Sequence, residues 1–194
     1  MFFSLILKIH ENIQKRKLLE IVKYNKKTQN RLNLSIKDYK IYSETFTPIE
    51  IEIIPCKEIY DKFINIDESE KLYYHIYFND SREEIMNKYE INKKDKVTKI
   101  KIIIDYHIKS FEKLFYFCEC IESINFKKFY RNNVNNMSRL FFKCLSLKEL
   151  NLSSFNTNNV TNMSYMFYGC SKELIIMKIK TQYKNIKEEA FENF

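Results

Sequence analysis

Three cysteines at positions 118, 144 and 170 stand 26 residues apart, and other residues share the interval. Phe115, Phe141 and Phe167 keep it, as do Leu114, Leu140 and Met166, and Ile108, Val134 and Val160. The segment Asn125–Ser138 aligns at the same offset with Asn151–Ser164. A chain built this way is constrained to stack its units, because one short unit cannot bury its own apolar face and relies on a neighbour to cover it.

Each unit has two halves. Leu150 and Leu152, with Leu147 before them and Phe155 after, read as a short strand entering a turn, and Ile121, Ile124, Phe126 and Phe129 repeat that pattern one unit earlier. Val160, Met163, Met166, Phe167 and Cys170 then step by 3, 3, 1 and 3, the spacing of one helical face. The pattern predicts strand then helix in every unit: an α/β fold in the form of a short leucine-rich-repeat solenoid over residues 97–180. The strand Lys99–Ile104 is expected to open the array. A capping helix over 181–194, carrying Tyr183, Ile186, Ala190, Phe191 and Phe194, is expected to close it.

The run Asn159-Val-Thr-Asn-Met-Ser-Tyr-Met-Phe167 within Leu147–Cys170, and its copy one unit earlier, resembles the BspA-like leucine-rich repeats, also known as mycoplasma-lipoprotein-type repeats. The resemblance covers about half of the chain, from Val97 to Met177. It implies a right-handed solenoid that binds other macromolecules, in some members at the cell surface.

Two segments precede the repeats. Residues 1–46 read as a basic helical unit with Ile9, Ile13, Leu18, Leu19, Val22 and Leu32 at its apolar positions. The stretch Ile9–Lys26, with its Leu18-Leu19 pair and Val22, also resembles the later part of an F-box, although the Leu-Pro-x-Glu opening of that motif is absent. That resemblance implies a substrate receptor that contacts the adaptor of a cullin-based ubiquitin ligase through residues 1–46. A plain helical cap is the other reading, and both stay open. Residues 47–96 read as an α+β flanking segment: Ile49, Ile51 and Ile53 alternate with Glu50 and Glu52, Tyr73 to Phe78 reads as a second strand, and Ser81 with Glu84 has capping-box spacing ahead of a helix.

The formal charge is +8, with 33 Lys and Arg against 25 Asp and Glu. Most of the bases are lysine, whereas phosphate and base readout favours the arginine fork, so nucleic acid is disfavoured as a partner. No run approaches the length of a membrane span, and Met1–Leu7 lacks the features of a secretory signal. With five cysteines, an odd number, the thiols read as reduced and the chain as intracellular, in the cytoplasm.

Catalysis finds no support in the residues. The single glycine, Gly169, excludes glycine-rich phosphate loops. His10, His75 and His107 fall in separate segments without ligand spacing, and the Cys118, Cys144, Cys170 column reads as a line of small buried hydrophobes. No cofactor and no metal is expected. The expected function is a non-enzymatic protein-interaction module; a ubiquitin-ligase receptor and a surface adhesin are the alternatives. Side chains that alternate with buried ones on the strands are the expected contact residues: Lys99, Lys101, Asn125, Lys127, Asn151 and Ser153.

Overall fold

The structure, a computed structural model, describes residues 24–31 and 33–192. The chain divides into two compact units, Met1–Phe46 and Thr47–Phe194. In the first, α1 (Lys26–Arg31) is followed by α2 (Ile36–Phe46). Ser35 and Asp38 start α2 by exchange: the Ser35 amide donates to Asp38 Oδ2 at 2.9 Å and the Asp38 amide to Ser35 Oγ at 3.3 Å, satisfying amides that the first helical turn leaves open. The F-box-like stretch lies outside the described residues except for Tyr24–Lys26.

The second unit is built on one mixed sheet of five strands, β1 (Ile49–Pro55), β2 (Tyr74–Phe78), β3 (Ile100–Ile104), β4 (Ile121–Lys128) and β5 (Glu149–Asn151), in the order β2-β3-β1-β4-β5. Isoleucine dominates because β-branched side chains pack well on a pleated surface. In β1, Ile49, Ile51 and Ile53 are fully buried while Glu50 and Glu52 point outward, and β3 repeats the alternation with Ile100, Ile102 and Ile104. Three of the pairings are antiparallel; β4 and β5 alone run parallel, with Ile124 opposite Leu150 and Asn125 opposite Asn151, a stagger of one repeat. β4 carries extra residues at Glu122 and Lys127, where its register against β1 slips.

This arrangement corrects the expected strand-plus-helix solenoid in two places. First, β1 sits antiparallel between β3 and β4, so the opening strand does not continue a parallel stack of repeats, and residues 47–96 supply a central strand of the sheet. Second, the apolar 3-3-1-3 pattern is a ribbon of overlapping turns. In the unit around Phe141, the amides of Leu140, Phe142 and Cys144 donate to the carbonyls three residues back, on Met137, Arg139 and Phe141. The amides between them leave the unit: Arg139 donates to Ser164, Phe141 to Met166 and Lys143 to Tyr168. The unit before does the same through Lys113, Phe115 and Phe117, which donate to Ser138, Leu140 and Phe142.

The backbone conformation that permits this recurs at the repeat interval. Lys113, Arg139 and Tyr165 have φ of 57°, 55° and 56°, and Phe117, Lys143 and Gly169 have 55°, 53° and 73°. A left-handed residue at two positions of each unit breaks the run of right-handed residues that a helix requires. It also turns alternate amides outward, so inward side chains land at near-helical spacing without a helix. The loop asparagines complete each layer: Asn136 Oδ1 and Asn162 Oδ1 each accept the amide two residues on, from Ser138 and Ser164, at 3.0 Å, while Asn133 and Asn159 donate across to the carbonyls of Tyr106 and Asn132.

Between the sheet and the turn ribbons lies one continuous core. Its spine is a file of stacked phenyl rings: Phe115 to Phe141 at 5.8 Å, Phe141 to Phe167 at 5.5 Å and Phe167 to Phe191 at 5.5 Å. Such ring pairs contribute about 0.5–1.5 kcal/mol each beyond their burial. Phe191 belongs to a short 3-10 turn, Glu188–Phe191, which replaces the expected closing helix; before it the chain passes through a π-helical segment, Glu173–Ile179, and the one-turn α3, Lys180–Gln182. The Phe167 amide donates to Ala190, so this turn closes the stack by the same backbone pairing that joins the layers.

Gly169 is the one left-handed position of the ribbons without a side chain, and a Cβ there would stand 2.8 Å from Lys143 Cγ. Gly169→Ala is expected to destabilise the fold by about 1–2 kcal/mol from the left-handed backbone alone, read as a lower midpoint in urea unfolding.

Candidate functional site

The outer face of the sheet collects most of the residues expected to make contact. Cross-strand register places Tyr77 opposite Lys101, Lys101 opposite Glu52, Glu52 opposite Asn125 and Asn125 opposite Asn151, one row across all five strands. None of these side chains is buried. Lys127 joins the row from the bulge in β4, with its ammonium 3.0 Å from Glu52, and beside it Lys128 reaches Glu50 at 2.6 Å. Lys101, Asn125 and Lys127 are therefore brought together around Glu52, with Asn151 beyond Asn125 at the end of the row.

The other two expected residues lie at the margins. Lys99 precedes β3 and holds Asp80 at 2.5 Å, an ion pair whose hydrogen bond keeps the ammonium above its ordinary pKa. Ser153 follows β5 and donates its amide to Asn151 Oδ1 at 2.9 Å, which fixes the Asn151 side chain at the row's end.

A second surface feature, absent from the expected contact residues, lies on the outward side of the turn ribbons. Tyr116, Phe142 and Tyr168 repeat at the unit interval and stack with centroids 4.9 and 4.7 Å apart and interplanar angles of 23° and 14°. The left-handed positions flank the file: Arg139 lies 5.7 Å from the Tyr165 ring and Lys143 5.0 Å from the Phe117 ring, each within cation–π range. Lys113, Tyr116, Arg139, Phe142, Lys143, Tyr165 and Tyr168 line an open groove of about 550 Å³. The signal for it is present in the sequence, since Tyr116, Phe142 and Tyr168 keep the same interval as the core columns.

The groups considered for chemistry do not converge. Among the described residues no three of His, Cys, Asp and Glu stand close enough to hold a metal ion. His75 Nδ1 lies 3.0 Å from Glu84 Oε1, and His107 stacks on Tyr73 at 4.4 Å with the tilted Tyr106 ring 3.9 Å away. Arg131 is wholly buried; its Nη1 donates to the Asp105 carbonyl at 2.6 Å, and burial pushes the guanidinium down to about 10, which leaves it charged at neutral pH. Cys118, Cys144 and Cys170 line the core. Cys144 Sγ donates to the Phe115 carbonyl and Cys170 Sγ to that of Phe141, both at 3.0 Å. Burial pushes Cys120 and Cys170 up to about 12 and raises Cys118 and Cys144 well above the ordinary value, so none is a thiolate at neutral pH.

Residues 85–191, more than half of the 194-residue chain, match the family described as Mycoplasma protein of unknown function, DUF285. The chain belongs to the DUF285 family. The DUF285 match takes in β3, β4, β5, all the turn ribbons and the closing Phe191, and begins after β1 and β2. No curated protein and no solved structure matches the chain. None of its described helices is long and apolar enough to cross a membrane.

The thiols yield a pH dependence with a definite sign. Above an ordinary pKa of 9.0 the unfolded chain releases thiol protons that the folded chain holds to about 12, so the unfolded state gains and stability falls as pH rises through this window. Urea unfolding across it is expected to show that loss, with a shallower slope for Cys144→Ala. In the native protein at neutral pH, a thiol reagent is expected to label the half-buried Cys56 ahead of the four buried cysteines.

Proposed function

We propose that this chain is a non-catalytic protein-binding module whose contact surface is the outer face of the sheet. The observation that carries the reading is the row Tyr77, Lys101, Glu52, Asn125 and Asn151: a polar line across five strands, fixed by backbone register, with none of its residues buried. A rigid sheet presents such side chains with little freedom to lose on binding. The juxtaposed charges of Lys101 and Glu52 in the row and the ion pairs of Lys127 and Lys128 beside it favour a partner surface with matched charges of both signs over a uniformly charged polymer. The resemblance of Leu147–Cys170 to BspA-like repeats, which bind other macromolecules, supports the same reading.

Lys127→Ala combined with Asn151→Ala is expected to remove partner binding in affinity capture from the source cells while leaving the thermal melt nearly unchanged, because exposed ion pairs contribute only about 0–1 kcal/mol. Proteins captured equally by the wild type and the double variant would overturn the assignment.

A further inference from the structure

We propose that the aromatic and basic groove on the turn ribbons is a second docking surface, separate from the sheet face, and that its occupant is an acidic extended segment of a protein partner. Three cations, Lys113, Arg139 and Lys143, line it together with Tyr116, Phe142, Tyr165 and Tyr168, and the lining holds no carboxylate. Two acids stand at its margins: Glu112, 3.7 Å from Lys113, also accepts from Asn136, and Glu189, whose carbonyl accepts the Tyr165 amide, has its carboxylate engaged by the Met163 amide at 2.8 Å. Arg139 and Lys143 have ring faces as neighbours and no carboxylate ion pair among the described residues. A cation over a ring is partly desolvated while keeping its charge, so an arriving carboxylate gains a charge-assisted hydrogen bond at small dehydration cost.

The orientation of the rings decides between anionic partners. In the file Tyr116, Phe142, Tyr168 the faces are turned toward one another, so these three rings present edges to the groove, while Tyr165, at 70° to Tyr168, has Arg139 over its face. Edges carry the positive end of the aromatic quadrupole and complement carboxylates. Single-stranded nucleic acid binds by laying bases on ring faces, and here the central ring has both faces occupied. An extended peptide needs no such platform, and its carboxylates reach Arg139 and Lys143, which flank Phe142 within one layer.

Left-handed positions supply the three cations of the groove, Lys113, Arg139 and Lys143. At positions 113, 117, 139 and 143 the residues are Lys, Phe, Arg and Lys, side chains that carry a steric cost where glycine would carry none. The third layer has glycine at the equivalent position, Gly169, and so demonstrates that the ribbon accepts it.

Fluorescence anisotropy of the full chain with fluorescein-labelled oligoglutamate tests the proposal, with oligothymidylate of equal length as the competing probe. Oligoglutamate is expected to bind the wild type, more weakly as salt rises. Affinity is expected to fall by at least about tenfold in Arg139→Gln/Lys143→Gln, and to be kept in Lys93→Gln/Lys94→Gln, which removes the same charge elsewhere. If the first variant fails to fold, amide shift mapping on the wild type replaces it, with perturbations expected at 113–117, 139–143 and 165–169. Absence of binding, equal loss in both double variants, shifts spread over other lysines, or tighter binding of oligothymidylate at these residues would each overturn it.

Discussion

Alternate amides of the turn ribbons donate out of their own layer, and the rest of the second unit depends on that alternation. A buried amide must find an acceptor. In a helix it would find one four residues back and the repeats would meet only through side chains. Here Phe115, Phe141 and Phe167 donate to Leu140, Met166 and Ala190, so each layer is hydrogen-bonded to the next as strands are in a sheet. The phenyl file and the thiol column are consequences, since a backbone held in register sets like residues above like.

The sheet meets this stack from the other side of the core, and the two differ in how they were built. β4 and β5 follow the repeat stagger, whereas β1 enters antiparallel and joins the repeats to the strands before them. Its outward glutamates then accept the lysines of β4, so the charges that look scattered in sequence, Glu50 and Glu52 with Lys128 and Lys127, become neighbours across a single pairing. The result is two surfaces of different character on one unit, a mixed-charge row on the sheet and a basic, ring-lined groove on the ribbons.

Much of this was legible in the chain. The interval shared by Cys118, Cys144 and Cys170 correctly identifies residues that stack, and the alternation Ile49 to Ile53 identifies β1 and its buried face. The conformation between Val160 and Cys170 was not legible, because apolar steps of 3, 3, 1 and 3 fit a helical face and a turn ribbon equally well. The distinguishing sign is a left-handed residue twice in each unit, which glycine would have advertised. Only Gly169 does so; Arg139 and Lys143 adopt the same conformation without the composition that normally marks it. Nor does local pattern reveal that β1 inserts between β3 and β4, because antiparallel pairing across that distance is set by the shared core and not by neighbouring residues. The contact row was legible as outward positions, and its assembly around Glu52 was not, since Lys127 reaches it only through the bulge.

Scalar couplings across hydrogen bonds, measured by NMR on the isotopically labelled chain, test the layered ribbon most directly because they identify donor and acceptor together. The Phe141 amide is expected to couple to the Met166 carbonyl and the Arg139 amide to that of Ser164, with Phe142 coupled back to Arg139. Coupling of the Phe141 amide to the carbonyl of Met137, four residues back, would mean that each repeat carries a helix after all and would contradict it.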